Sequence, residues 1–250
     1  MKNKVNKVII SYWYKELMTN PISKIEELEN SLNKMFNRPF MVNNMEVGYN
    51  LSIPRIQALN SDKTMLFTMS LVNANLSVHY NDEVSYDDII LMINENTQLF
   101  YDLLKEIYDV KIVYTSIKME LMKEDENPCL YLKEKLNLED MEYEDLSFKK
   151  VICKDDTYYI NYMFNTGKEI NFNIGVKGSV KPSQNDMFDR SMLISLNDAN
   201  VTKRTFNTIV EVNDRLAFNN DGTYLTTKEN IRGMISEVKD ILNKRIDDLL

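Results

Sequence analysis

The segment Thr157-Tyr158-Tyr159-Ile160-Asn161-Tyr162-Met163-Phe164 alternates two kinds of side chain along its length. One set of alternate positions is aromatic or aliphatic and consists of Tyr158, Ile160, Tyr162 and Phe164. Because successive side chains of a strand point to opposite faces, this pattern predicts a β-strand with one face in a core and one in solvent. The flanking segments Leu146–Cys153 and Lys168–Gly175 read as strands too, with Asn165-Thr166-Gly167 as a turn. The three segments predict an antiparallel meander.

Similar reasoning places five strands earlier in the chain. They are predicted at Val8–Tyr14, Tyr49–Leu59, Thr64–Val72, Leu76–Tyr80 and Lys111–Met122. Two helices lie among them. One has a capping-box pattern at Ser23-Lys24-Ile25-Glu26, and the other begins at Ser85 with Asp88 at its third position.

The negative charge of the chain is concentrated in one region. The net charge is −8, and residues 120–145 hold ten acidic residues against three lysines. This region predicts an acidic connector at 124–145 between an N-terminal α+β lobe at 1–123 and a C-terminal antiparallel sheet with two helices at 146–250. The closing helices are expected near Thr202–Leu216 and Thr227–Leu249, the last with a capping box at 226–229. The predicted fold class is α+β, with two lobes, each a mainly antiparallel meander sheet covered on one face by long helices.

The composition argues against catalysis. The chain has one histidine, His79, and six glycines, and its two cysteines, Cys129 and Cys153, are isolated. Such a chain has few of the residues that usually transfer protons, bind zinc or form phosphate-binding loops. We therefore expect no catalytic residues, no metal and no cofactor. The cysteines are interpreted as buried thiols, and with no apolar run of membrane-spanning length we expect a cytoplasmic protein that does not contact a membrane.

An enzymatic alternative depends on carboxylates. Asp155, Asp156, Asp186 and Asp189 are candidate ligands for a divalent cation in a hydrolase or a nucleotide-handling enzyme, provided that they converge. A third hypothesis is a small-molecule sensor with its ligand between the lobes, near the loop after Gly175.

The candidate interaction residues fall into three groups. They are Tyr131 and Tyr143 in the acidic connector, Asn161, Asn171 and Asn173 on the polar face of the second sheet, and Lys177, Gly178 and Lys181 in the following loop. Asparagine is depleted in strands, so an asparagine-lined face suggests a docking surface. The acidic connector repels phosphates, so direct nucleic-acid binding is not expected, whereas a basic protein partner or a second subunit is.

The order of these elements resembles a sporadically distributed family of uncharacterised bacterial proteins of similar length. The resemblance lies in the strand Val8–Tyr14, the strand pair Met65–Tyr80 leading into the helix after Tyr86, the strand Lys111–Leu121 and a late strand Met192–Leu196. One-sided meanders under long helices are also similar to the SecB-type export chaperone fold, by analogy. The leading hypothesis is a non-enzymatic bacterial protein, expected to form a homodimer, that binds a protein partner in a chaperone-like, defence-associated or phage counter-defence setting.

Overall fold

A computed structural model describes residues 4–44, 50–124, 126–137, 146–170 and 201–244. The strands in this part of the chain are β1 (Lys4–Tyr14), β2 (Met41–Val42), β3 (Ile56–Leu59), β4 (Met65–Met69), β5 (Asn73–His79), β6 (Ile112–Glu124), β7 (Ser147–Lys154), β8 (Tyr158–Ile170) and β9 (Val201–Asn213). The helices are α1 (Ile25–Leu32), which follows a 3₁₀ turn at Pro21–Lys24, α2 (Tyr86–Tyr108), α3 (Pro128–Lys135), α4 (Arg215–Asn220) and α5 (Lys228–Leu242). The nine strands form an antiparallel sheet in the order β2-β3-β4-β5-β1-β6-β9-β8-β7. The predicted α+β class with an antiparallel sheet is confirmed.

The helix α2 connects two strands that flank β1. Strand β5 pairs with β1 from Lys7 opposite His79 to Trp13 opposite Asn73, and β6 adjoins β1 on its other side. The helix begins where the sequence predicts, since the Ser85 hydroxyl accepts a hydrogen bond from the Asp88 backbone N–H. Such an N-cap satisfies one of the backbone donors that a helix start leaves free.

The chain divides into two compact units. The first comprises Met1–Leu121, Lys149–Met163 and Thr208–Leu250, and the second comprises Met122–Phe148 and Phe164–Asn207. The predicted lobes at 1–123 and 146–250, with a connector at 124–145, stay a prediction.

Within the second unit, aromatic rings form a continuous row. Phe148 stacks on Phe164, Phe164 stacks on Phe206, and Tyr131 of α3 meets Phe206 edge-on with ring centroids 5.2 Å apart. Such ring contacts stabilise a small core beyond the area that they bury.

Within the first unit, α2 and α5 lie on one face of the sheet. Tyr12 of β1 is buried and donates a hydrogen bond from its hydroxyl to the Thr97 carbonyl of α2 at 2.7 Å. On the same face, Tyr158 of β8 reaches the Asn230 carbonyl of α5 at 3.2 Å. The opposite face is largely polar, with Ser11, Asn75, Ser77, Ser116, Asn161 and Glu211 at its alternate positions. Helices α2 and α5 therefore leave this second face of the first unit for other contacts.

The helix expected near Thr202–Leu216 is wrong, because this region forms strand β9. Alternate positions of β9 are fully buried and consist of Phe206, Thr208, Val210 and Val212. A period of two and β-branched side chains are typical of a strand, and only the short helix α4 follows it.

The turn expected at Asn165-Thr166-Gly167 is also wrong, since strand β8 continues through it to Ile170. A Cβ atom on Gly167 would lie 2.7 Å from Asn207 Nδ2 and 2.8 Å from Thr205 Oγ1 of β9. Glycine in a strand often marks such a close approach, and here it allows close packing instead of a reversal of the chain.

Smaller corrections concern caps and strand ends. The Ser23 hydroxyl donates to the Asn20 carbonyl and does not cap α1, which begins at Ile25. The capping box of α5 joins Thr227 and Asn230, one residue later than predicted, and only Ile56–Leu59 of the strand predicted at 49–59 is extended in the sheet.

Two findings bear on the expected cellular setting. Cys153 is exposed and Cys129 is half-buried, so the interpretation as two buried thiols is wrong. Among the described residues, no helix combines the length and the apolar character needed to cross a membrane.

Candidate binding groove

The polar face of the first unit contains two adjoining cavities of about 540 and 380 Å³. Four side chains line both of them: Trp13, Lys149, Asn161 and Glu211. The larger cavity extends to α4, and the smaller one extends along β1 and β6. We call the two cavities together the groove. Each volume falls in the range of about 300–1,000 Å³ that is common for ligand-binding clefts.

Three planar groups form a row in the larger cavity, two on the neighbouring strands β1 and β6 and one at the start of α4. The Trp13 ring of β1 stacks on the Tyr114 ring of β6, with centroids 5.5 Å apart and ring planes 21° apart. The Arg215 guanidinium, just after β9, lies over the Tyr114 ring at 5.6 Å from its centroid. Stacking of this kind holds a guanidinium in place while its N–H donors stay available at the edge.

Burial sets the chemistry of the Tyr114 hydroxyl. Removal from water raises its pKa above the ordinary value of 10.0, and the positive charge of Arg215 opposes part of this increase. The hydroxyl therefore stays protonated at neutral pH and acts as a hydrogen-bonding group, not as a base.

The centre of the groove holds one carboxylate. Ser116 Oγ of β6 donates to Glu211 Oε1 at 2.8 Å, and Asn161 Nδ2 of β8 donates to Glu211 Oε2 at 3.2 Å. Strand β9 lies between β6 and β8, so the two donors reach the carboxylate from opposite sides. This arrangement fixes the orientation of Glu211 and leaves it further acceptor capacity for a ligand.

A buried carboxylate supports the end of the groove that Arg215 forms. Asp214 Oδ1 accepts the Thr115 backbone N–H at 2.6 Å, and Asp214 Oδ2 accepts the hydroxyls of Tyr224 and Thr226 at 2.8 and 2.7 Å. Burial raises the Asp214 pKa above its ordinary value of 3.8, and the hydrogen bonds oppose the increase. Since Asp214 directly precedes Arg215, this network determines where the backbone of Arg215 lies.

The structure places two of the predicted interaction residues. Asn161 lies in the groove, as a member of the polar face on which the prediction depended. Tyr131 lies in the second unit, where its ring contacts Phe206 and the Lys123 ammonium lies 4.6 Å from its centroid. The others lie outside the described residues: Tyr143, Asn171, Asn173, Lys177, Gly178 and Lys181.

The carboxylates of the enzymatic alternative are placed only in part. Asp155 and Asp156 form the tight turn between β7 and β8, with φ of 52° and 50°, and both are exposed. Asp186 and Asp189 lie outside the described residues. In the part of the chain that the structure describes, no three His, Cys, Asp or Glu side chains converge as a metal site would require. Consecutive left-handed residues are typical of a hairpin turn, which accounts for this aspartate pair.

Sequence reasoning missed most of the groove. Trp13 and Tyr114 were recognised as strand residues but not as partners, and Arg215 and Glu211 fell in the region expected to be helical. The available signal was the single tryptophan of the chain, placed between the core positions Tyr12 and Tyr14 on the polar side of a strand. A tryptophan at such a position is an interface candidate.

Comparison with known proteins does not identify a family. No family model matches the chain, and no curated protein matches it. Among solved structures, the chain is similar to the rolling circle replication initiator protein from Geobacillus stearothermophilus, with 11% identity, 98% of each chain covered and a TM-score of 0.31. It is also similar to the Methanococcus jannaschii TBP, with 12% identity, 97% of this chain and 98% of that chain covered, and a TM-score of 0.26. Neither likeness carries an argument about fold or function.

Proposed function

We propose that this protein is a non-enzymatic binding protein that recognises a protein partner with the groove of its first unit. The observation that carries the proposal is the row formed by Trp13, Tyr114 and Arg215 beside partly exposed apolar side chains. Tryptophan, tyrosine and arginine are the residues that most often dominate the binding energy of protein interfaces.

The apolar rim of the groove supports the same function. Val151 lines the larger cavity and is 50% exposed, and Met163 lines the smaller cavity and is 38% exposed. When a partner covers apolar side chains that were exposed to water, the burial of their surface stabilises the complex. The polar groups of Glu211, Asn161 and Lys149 supply the directional contacts that select one partner over another.

The proposal retains the biological setting expected from the sequence. It includes a cytoplasmic location, a homodimeric state, a two-lobed organisation and a chaperone-like, defence-associated or phage counter-defence role. Light scattering on the purified protein measures the oligomeric state, and a monomer at micromolar concentration would remove the homodimer from the proposal.

The test is affinity capture from the native host with three forms of the full chain: wild type, Val151→Glu and Ile152→Glu. Val151 faces the groove, whereas Ile152 is the next residue of β7, 37% exposed, and points to the other face of the strand. We expect a protein that is captured by the wild type and by Ile152→Glu but lost with Val151→Glu. Loss with both variants, or no stable partner with any form, would contradict the proposal.

The affinity of the captured partner then gives the size of the effect. Truncation of a groove residue that dominates binding is expected to cost about 2 kcal/mol of binding free energy, which corresponds to a roughly 30-fold weaker complex. Tyr159→Ala is a suitable variant, since Tyr159 lines the larger cavity and is only partly buried. A thermal unfolding curve that matches the wild type excludes a folding defect as the cause.

A further inference from the structure

Two cationic side chains of the groove have no carboxylate partner in the part of the chain that the structure describes. Among the described residues, neither Arg215 nor Lys149 has a carboxylate within ion-pair distance, although both line the larger cavity. Lys118, in the smaller cavity, is paired with Glu120 at 3.8 Å. Of the described residues that line the larger cavity, two are therefore cations available to a ligand.

The larger cavity is also rich in hydrogen-bond donors. A guanidinium carries five N–H donors and an ammonium three, and the Asn219 side-chain amide, which donates to Tyr159 Oη at 3.4 Å, keeps a second N–H. Among the described residues that line the larger cavity, Glu211 is the one carboxylate, and it already accepts a hydrogen bond at each oxygen. The excess of donors over acceptors fits an anionic group of the ligand.

The stacking geometry favours a carboxylate on a peptide over a nucleic acid. The Tyr114 ring already stacks with Trp13 and lies under the Arg215 guanidinium, so these contacts compete with the stacking of a base on Tyr114. Glu211 in the same cavity repels a polyanionic backbone, whereas it accepts an N–H from a peptide. A planar guanidinium with a free edge matches the geometry of a carboxylate.

We propose that the groove recognises an acidic segment of a partner protein, in which one Asp or Glu carboxylate binds the Arg215 guanidinium and a neighbouring apolar side chain covers Val151. This assignment rests on the proposed function and names the chemistry that its partner must have. Lys149 adds a second positive charge to the carboxylate site, and Glu211 accepts a backbone or side-chain N–H of the same segment.

The probe is a phage-displayed library of random linear peptides, selected on the full chain. We expect the selected sequences to share an Asp or Glu next to an aliphatic or aromatic residue. A selected peptide, labelled with fluorescein, is then titrated with wild type, Arg215→Met, Arg215→Lys and the control Arg232→Met. Arg232 is exposed on α5 and does not line the groove, so it matches the loss of one positive charge without touching the site.

The expected pattern is specific. Arg215→Met weakens the peptide about 10- to 100-fold, Arg215→Lys weakens it less, and Arg232→Met leaves it unchanged. Replacing the peptide's acid by its amide weakens binding to the wild type but has no further effect on Arg215→Met, which shows that the two groups bind each other. Arg215 is exposed, and a thermal unfolding midpoint equal to that of the wild type shows that each variant is folded.

The outcomes separate this inference from the proposed function. If Val151→Glu abolishes the binding of the selected peptides but these peptides share no acidic residue, the proposed function stands and the acidic specificity is overturned. Equal binding by wild type and Arg215→Met overturns it as well. Tighter, Arg215-dependent binding of a labelled oligothymidine would overturn it in favour of a nucleic-acid ligand, and a library without any groove-dependent peptide contradicts both proposals.

Discussion

Substitution of Gly233 by alanine tests how closely α5 packs on the sheet of the first unit. A Cβ atom at this position would lie 2.1 Å from Tyr158 Oη and 3.0 Å from Tyr158 Cζ of β8. Tyr158 must then move, which breaks its hydrogen bond to the Asn230 carbonyl. Overpacking costs about 1–3 kcal/mol, and the lost hydrogen bond about 1 kcal/mol. The gain in helix propensity returns about 1 kcal/mol, so a net loss of about 2 kcal/mol in the free energy of unfolding is expected.

The assay is urea unfolding followed by circular dichroism, with linear extrapolation to water. Gly222→Ala is the matched control, because its Cβ would have no neighbour within 4 Å and a change within about 0.5 kcal/mol is expected. Tyr158→Phe removes the atom that collides most closely, so Gly233→Ala should cost less than half as much in that background. Two results would refute the reasoning: a Gly233→Ala protein at least as stable as the wild type, or an equal loss in both backgrounds.

Four further predictions concern buried and capping polar groups. Burial raises the Asp214 pKa, so the folded protein binds this proton more tightly than the unfolded chain does. The wild type should therefore lose stability relative to Asp214→Asn as pH rises from about 3 to about 7. Unfolding curves of the two proteins across this range should diverge in that direction, and parallel curves would contradict the prediction. Asp214→Ala removes the acceptor of two buried donors and of the half-buried Tyr224 hydroxyl, and it should cost about 3 kcal/mol in urea unfolding at neutral pH. Thr227→Ala removes the hydroxyl that caps α5 at the Asn230 N–H and should lower the free energy of unfolding by about 1 kcal/mol, a loss that Thr227→Ser should largely avoid. Tyr12→Phe deletes the hydrogen bond to the Thr97 carbonyl and should cost about 1 kcal/mol in thermal unfolding, with an unchanged circular dichroism spectrum as the check on folding.

Local sequence patterns predicted the elements in which apolar residues recur at a regular spacing. The alternation at Lys111–Met122 and at Thr157–Phe164 yielded strands β6 and β8, and the Ser85 and Asp88 pair marked the start of α2. These elements are readable because the burial of one face and the capping of a helix end depend on residues only a few positions apart.

The same local reasoning failed where a distant contact gives a residue its role. Gly167 reads as a turn residue alone, but the approach of Thr205 and Asn207 from β9 makes it a strand residue. The region 202–216 carries apolar residues at spacings that suit a helix. In the structure it forms strand β9 between β6 and β8, and alternate side chains of this strand are buried in the core. Pairing partners in a sheet, not propensity, settle such ambiguous segments.

Sequence alone determined that this is an α+β chain with an antiparallel sheet, and that Asn161 lies on a polar face of that sheet. Only the tertiary structure decided that Trp13, Tyr114 and Arg215 form one row beside Glu211, because these residues lie on different elements that are up to about two hundred positions apart in the chain. The physical reason is that periodicity reports which face a side chain occupies, whereas the order of the strands determines which side chains become neighbours on that face.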